Sequence, residues 1–214
     1  MKPRFTIISI ICCLPLLTSC LDTVYVHYNH EPVARAYFFS EKITCGVSES
    51  QGIISLQLNV DIYNDPLCKD YRRGDDVYYQ LSLKHKDSYS GKLSESTPGV
   101  HGYCFAKDFI SIDIVCDKDY DALHPAGKSL ADIVDCKVTS IYPWIKGGYV
   151  GTTAQTISKQ LSSMQLDDMT MISLFPFVKL TFKSAPSEKG EYSFRITMKT
   201  DDDLVYEIDQ DVTF

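Results

Sequence analysis

The chain has 214 residues, with 28 acidic and 21 basic side chains, a formal net charge of −7 and a hydrophobic fraction of 44%. This is the composition of an ordinary globular protein and excludes a disordered chain. The negative charge repels a phosphate backbone at long range, which argues against nucleic-acid binding.

The N-terminal residues have the pattern of a secretory signal peptide. Lys2 and Arg4 precede an apolar run from Phe5 to Leu17. A membrane-spanning helix needs about 20 apolar residues, so this run is too short to span. A charged start followed by roughly 7–15 apolar residues is typical of a signal peptide. We therefore expect residues 1–19 to be a signal peptide.

The apolar run ends in Leu17-Thr18-Ser19-Cys20, which resembles the lipobox of small lipoproteins of unknown function from gut Gram-negative anaerobes. The resemblance implies that Cys20 is lipidated and that the chain is held to a membrane by this lipid. Because Leu21 follows the cysteine, it implies the outer membrane and leaves open the periplasmic or the surface side. Residues 20–33 would then be a lipid-anchored tether. A buried apolar N-terminus and a secreted form without lipid are the alternatives.

Strands are predicted where apolar and polar residues alternate, or where β-branched and aromatic residues cluster between turn residues. In chain order these segments are Arg35–Cys45, Ile54–Tyr63, Val77–Lys84, Phe109–Cys116, Val134–Ile141, Met171–Phe182, Tyr192–Lys199 and Leu204–Phe214. One helix is predicted over 153–166, where Ala154, Ile157, Leu161 and Met164 are spaced by three or four residues.

Many short strands with turns between them and little helix predict an all-β fold. We expect residues 34–214 to form a single antiparallel β-sandwich domain, immunoglobulin-like in architecture. A parallel α/β fold is disfavoured because strands and helices do not alternate.

Five cysteines lie beyond the N-terminal segment. In an oxidising envelope the default expectation is two disulfides and one remaining thiol, and we favour a Cys104–Cys116 pair. The other pairings stay open. Zinc is disfavoured because no C-x-x-C spacing occurs. The cysteines are Cys45, Cys68, Cys104, Cys116 and Cys136.

No segment carries a catalytic, metal or nucleotide motif, so we predict neither a cofactor nor a metal. Asp117, Asp119 and Asp121 have the first spacings of a calcium loop, but Ala122 and Lys128 stand where glycine and glutamate are needed. We interpret this segment as a solvated acidic loop. No G-x-S-x-G elbow is present.

One aromatic patch is a candidate binding site. Tyr142, Trp144 and Tyr149 lie in a segment rich in proline and glycine after a predicted strand, where they could stack on a sugar or anchor a protein. The alternative is that Trp144 fills the core. We predict a non-enzymatic binding or accessory module for a glycan or an envelope protein. The alternatives are a structural or adhesion subunit of a surface assembly and a small glycan hydrolase.

Overall fold

The computed structural model describes residues 32–87, 102–151 and 154–214. The predicted signal peptide, Cys20 and nearly all of the predicted tether lie outside these residues. The described strands are β1 (Ala36–Phe39), β2 (Ile43–Ser50), β3 (Ile53–Val60), β4 (Lys69–Arg72), β5 (Tyr103–Phe105), β6 (Phe109–Cys116), β7 (Val134–Ser140), β8 (Gln155–Gln160), β9 (Val178–Phe182), β10 (Glu191–Thr200) and β11 (Val205–Thr213). The described helices are α1 (Asp76–Lys84) and α2 (Tyr142–Lys146), with 3-10 turns at Leu161–Ser163 and Leu166–Met169.

Two sheets form a sandwich. One has the strand order β2-β3-β9-β7-β8 and the other β11-β10-β6, and all neighbouring strands in both are antiparallel. An immunoglobulin constant-type sandwich has strands A-B-E-D in one sheet and G-F-C in the other. Taking β2, β3, β6, β7, β9, β10 and β11 as A to G reproduces this order, and β8 extends the first sheet beyond D. The prediction of an antiparallel, immunoglobulin-like sandwich is confirmed.

A second immunoglobulin feature lies at the start of β10. The Tyr192 hydroxyl donates a hydrogen bond to the Glu188 carbonyl at 2.9 Å, as in the tyrosine corner between strands E and F. Two residues later, where antibody domains place a disulfide cysteine, Phe194 is buried instead. Its ring lies 4.9 Å from that of Phe182 in the opposite sheet. Aromatic packing therefore joins the sheets at this position.

The core follows the alternation in the sequence. Ile54, Leu56, Leu58 and Val60 of β3 are buried, and side chains of β6, β7, β9, β10 and β11 complete the same cluster. Burying one such side chain contributes about 1.5–3 kcal/mol to stability. The sandwich therefore rests on this cluster between its two sheets.

A small third sheet adds a second, separate core. It has the order β4-β1-β5, in which β1 pairs antiparallel with β4 and parallel with β5. Both α-helices pack on it, so Tyr37 of β1, Tyr78 of α1 and Trp144 of α2 share one buried cluster. This sheet and its helices give the sandwich an additional surface.

The helix predicted over 153–166 is wrong. Gln155–Gln160 forms β8, the edge strand beside β7, and a 3-10 turn follows at Leu161–Ser163. Ile157 is the only apolar side chain of this strand, so no alternation marks it in the sequence. Its helical spacing to Ala154 and Leu161 is a coincidence.

The strand predicted at Val77–Lys84 is also wrong, because this segment is α1. Tyr78 and Ser82, four residues apart, are buried, whereas Val77 and Leu83 are exposed. Asp76 in the first turn and Lys84 in the last turn complement the helix dipole. The alternation of apolar residues in the sequence therefore does not match the face of α1 that is buried.

The disulfide prediction is wrong, including the Cys104–Cys116 pair. All five cysteines of the described body are free thiols. Cys104 belongs to the second core cluster, while Cys116 and Cys136 belong to the sandwich core. Cys45 is half-buried and packs against the sandwich core, and Cys68 is half-buried outside both clusters. The favoured partners Cys104 and Cys116 therefore lie in different clusters.

Candidate binding site

The three aromatic residues predicted to bind a ligand have different environments. Trp144 is only 4% exposed and belongs to the second core cluster. The Tyr149 ring packs against it edge to face at 5.1 Å, and the Tyr149 hydroxyl donates to the Lys86 carbonyl at 3.1 Å. Tyr142 is half-buried and lines a shallow groove between α2 and β8. Trp144 therefore presents no open ring face, and Tyr142 alone of the three lines this groove.

Charges in this groove are already paired. Lys146 forms an ion pair with Asp167, and Lys159 bonds both carboxylate oxygens of Asp168 at 2.8 Å. The remaining lining consists of Pro143 and Gly147 on the α2 side and of residues 155–158 of β8, of which Ile157 alone is apolar. The groove therefore offers a ligand one half-buried tyrosine, because the charges of its two lysines are already paired with its two aspartates.

A better site lies on the other side of the molecule's small sheet, in a cavity of about 480 Å³ that we call the aromatic hollow. Ligand sites in proteins are typically concave, mainly apolar and supplied with a few fixed polar groups. The hollow has this composition. It is lined by Phe38, Ile62, Tyr63, Asp65, Cys68, Asp70, Arg72, Tyr103 and Phe175.

Aromatic rings form the walls of the hollow. Phe38 and Tyr103 pack edge to face with ring centroids 5.5 Å apart and make the inner wall. Tyr63 and Phe175 are 87% and 60% exposed. Both rings therefore present apolar surface to solvent beside the concave surface of the hollow.

The loop that carries Tyr63 is held firmly. The Asp65 carboxylate accepts hydrogen bonds from Ser40 Oγ at 2.6 Å, from the Glu41 amide at 2.9 Å and from the Leu67 amide at 2.8 Å. The Ser40 hydroxyl bond is the main reason that the pKa of Asp65 lies below its ordinary value. The carboxylate is therefore ionised at neutral pH, and the loop is preorganised around it.

The loop that carries Phe175 is fixed by backbone bonds. The Leu174 amide donates to the Tyr103 carbonyl at 3.0 Å, and the Ser173 amide donates to the Thr139 carbonyl at 2.8 Å. Phe177, two residues after Phe175, is fully buried in the sandwich core. Both exposed rings therefore stand on anchored loops, which lowers the entropy lost when a ligand binds.

Three more polar groups complete the hollow. Arg72 Nε donates to the Asp70 carboxylate at 2.6 Å, so these two charges pair. The Cys68 thiol is half-buried, and burial together with the charge of Asp65 raises its pKa. A thiol with a raised pKa is protonated at neutral pH and is a poor nucleophile. Cys68 is therefore not an activated thiol.

His85 and Asp108 form a buried histidine–aspartate pair beside the small sheet, and their contacts are those of a structural ion pair. His85 Nε2 bonds Asp108 at 2.9 Å, and Asp108 also binds Lys84 Nζ at 2.7 Å and accepts from the Met171 amide at 3.2 Å. Burial raises the pKa of Asp108, but His85 and Lys84 outweigh this effect and lower it. His85 Nδ1 is buried without a hydrogen-bond partner. The pair therefore activates no hydroxyl or thiol in the described part.

Two further observations concern metals and membranes. Among the described residues, no group of three or more histidine, cysteine, aspartate or glutamate side chains is arranged to hold a metal ion. None of the described helices is both long enough and apolar enough to cross a membrane.

Comparisons with known proteins assign no family to the chain. No family model, curated protein or solved structure matches it.

The sequence interpretation missed the hollow because its residues come from separate segments. Phe38 lies on β1, Tyr63 follows β3, Tyr103 lies on β5 and Phe175 precedes β9. Both exposed rings were placed within predicted strands, Ile54–Tyr63 and Met171–Phe182, although the neighbouring Asn64 and Pro176 are turn-forming residues. Large aromatic residues at such positions are candidates for display to a ligand.

Proposed function

We propose that this chain is a non-enzymatic binding module of the cell envelope, anchored by lipid on Cys20, which binds a glycan in the aromatic hollow. The observation that carries the proposal is the presence of two strongly exposed rings, Tyr63 and Phe175, on anchored loops beside a cavity with aromatic walls and a few polar side chains. Rigid scaffolds commonly present binding residues on their loops in this way.

A sugar matches this chemistry better than a flat protein surface does. An aromatic ring carries negative potential on its face, which attracts the weakly positive C–H groups of a pyranose. The Asp70 carboxylate beside the rings can accept hydrogen bonds from sugar hydroxyls. A cavity of about 480 Å³ falls in the range typical of small-ligand sites.

The test is binding of the full-length protein, purified in detergent, to an immobilised glycan array. Removing a ring that stacks on the ligand should weaken binding about tenfold. We therefore expect this loss for Tyr63→Ala and for Phe175→Ala. The matched control is Leu123→Ala, which truncates another exposed apolar side chain that does not line the hollow. Equal binding by all three variants and the wild type would contradict the proposal.

The lipid anchor is tested separately by intact mass spectrometry of the protein from its native membrane. We expect a chain that begins at Cys20 and carries acyl groups, because stable anchoring requires two or more acyl chains. The Cys20→Ala variant should lack this mass. A wild-type mass that includes residues 1–19, or that has no lipid, contradicts the envelope assignment.

A second candidate function, a subunit of a surface assembly, is favoured by the edge strand β2. In the described part this strand of eight residues pairs with β3 alone. Thr44, Gly46, Ser48 and Ser50 on its outward face are uncharged, and Glu49 is the one charged residue of the strand. An edge strand with so few charges is open to pairing with another chain. Polymers that grow with protein concentration and disappear in Ser48→Lys would favour this function over the first.

A further inference from the structure

We propose that the aromatic hollow selects a sugar that carries a carboxylate, a uronic acid, and that Arg35 is the residue that binds this carboxylate. The proposal rests on the glycan-binding function and names the ligand class of the same site. Its starting point is the position of the Arg35 guanidinium, whose carbon lies 5.4 Å from the centre of the Tyr103 ring. Tyr103 is part of the inner wall of the hollow.

The backbone that carries Arg35 is fixed. Its amide donates to the Gly102 carbonyl at 3.1 Å. Just before it, the buried Asp87 carboxylate accepts hydrogen bonds from the amides of Val33 and Ala34, at 2.8 to 3.0 Å. The side chain itself is exposed. A cation on a fixed backbone therefore lies over the Tyr103 ring, next to the hollow but not among its lining residues.

Arg35 differs from the other described arginines in its partners. Arg72 pairs with Asp70, and Arg195 donates to Asp209 at 2.9 Å. Arg73 donates to the Pro32 carbonyl at 3.0 Å. Arg35 has no carboxylate partner among the described residues, and its guanidinium contacts the ring of Tyr103.

An arginine without a carboxylate partner is suited to bind a ligand carboxylate. The N–H donors of its guanidinium lie in one plane, in a fork that matches two carboxylate oxygens. Neither carboxylate of the hollow pairs with Arg35, because Asp65 accepts three protein hydrogen bonds and Asp70 pairs with Arg72 through one of its oxygens. A ligand carboxylate on Arg35 would then place its sugar ring against the aromatic walls.

This recognition is local. The chain has a formal net charge of −7, so an anionic ligand is not attracted at long range. Selection must come from the short hydrogen bonds between Arg35 and the carboxylate, which are worth about tenfold or more in affinity when donor and acceptor are both charged.

The experiment compares two probes, trigalacturonic acid and its methyl ester, by calorimetry on the full-length protein in detergent. We expect wild type to bind the acid at least about tenfold more tightly than the ester. Arg35→Gln should remove this difference by weakening binding of the acid to about the level of the ester. Arg35→Lys should restore only part of the difference, because lysine keeps the charge but loses the fork and the stack.

Two controls separate the roles of the residues. Arg195→Gln removes an exposed arginine on β10 that does not line the hollow, and we expect it to bind both probes like wild type. Tyr63→Ala should weaken both probes by the same factor, since the ring contacts the sugar and not its carboxylate.

The possible failures are distinguishable. Equal binding of acid and ester by wild type overturns the uronic-acid class while glycan binding stands. A preference for the acid that persists in Arg35→Gln overturns the role of Arg35. If the protein binds other sugars on the array but neither probe, the uronic-acid ligand class is overturned. If it binds an acidic peptide but no sugar, this inference and the proposed function are both overturned.

Discussion

The imidazole of His124 lies between two carboxylates. Nδ1 is 2.7 Å from Asp121 and Nε2 is 2.9 Å from Asp132, while the histidine side chain is only 3% exposed. Burial acts to lower the pKa of His124, but the two carboxylates outweigh this and raise it above 6.5. The two carboxylates therefore favour the protonated form of His124, which closes the loop that begins after β6.

The two contacts of His124, with Asp121 and with Asp132, form a clamp that makes the stability of the fold depend on pH. Because the folded-state pKa of His124 is raised, its contribution is fully present below about pH 6.5 and is lost as the pH rises through the folded-state pKa. Burial acts to raise the pKa values of Asp121 and Asp132, but His124 outweighs it and lowers them. Their contribution is therefore present above about pH 4 and is lost as the pH falls further. We expect the clamp to stabilise most between these two limits.

The measurement is urea unfolding of wild type and of His124→Gln at about pH 5.5 and pH 9. The stability gap between the two proteins should be larger at the lower pH and should shrink at the higher one. A gap that grows with pH would contradict the assignment of a charged histidine.

At the scale of elements, the hydroxyl of Tyr192 ties the start of β10 to the preceding turn. In Tyr192→Phe the ring that packs in the core is kept and this one hydrogen bond is lost. We expect a loss of about 1 kcal/mol in the free energy of unfolding. Equilibrium denaturation measures it, and Tyr192→Ala is the comparison, with a larger loss because the ring is removed too. A wild-type value for Tyr192→Phe would argue against a stabilising corner.

The sequence predicted those elements whose buried face has a simple period. Strand β6 was predicted with its observed bounds, and β10 and β11 to within a residue at each end. Each alternates buried and exposed side chains with few interruptions, because one face packs on the core. These elements need no tertiary information for their recognition.

The two misassigned segments lack that simple relation. On β8 a single apolar residue, Ile157, faces a partly buried environment, because an edge strand needs few core contacts. On α1 several exposed apolar residues alternate with polar ones, and one of them, Val77, lines a small cleft with Leu81 beside β4. In both cases tertiary packing overrides the local pattern, which is why the sequence alone misled.

The cysteines were misjudged for a different reason, at the scale of the whole molecule. Cysteine counts in an oxidising compartment favour disulfides, but the fold decides which thiols can meet. Here Cys104, Cys116 and Cys136 are buried in two different clusters. Burial raises the pKa of Cys136 to about 12, and that of Cys45 to about 11. The folded chain therefore holds these two thiols in their protonated, unreactive form.

The candidate site was also beyond prediction, since it exists only after assembly. Its walls come from both the small sheet and the loops of the sandwich, and only tertiary structure brings Tyr63 close to Tyr103 and Phe175. Nothing in the sequence distinguishes Arg35 from the other basic residues. Its position over the Tyr103 ring and the absence of a carboxylate partner in the described part are properties of the fold.

Ser40 has a consequence for how the ligand can be found. Its hydroxyl holds Asp65 at 2.6 Å below the hollow, and its carbonyl accepts a hydrogen bond from Tyr206 of β11 at 2.9 Å. The hollow is thereby tied to the opposite sheet, so a ligand that requires the folded hollow shifts the unfolding equilibrium of the whole chain by mass action. At a hundred times its dissociation constant such a ligand adds about 2.7 kcal/mol, a rise in melting temperature of roughly 5–11 °C for a domain of this size. Melting curves recorded across a library of sugars therefore reveal the ligand through the heat stability of the protein alone.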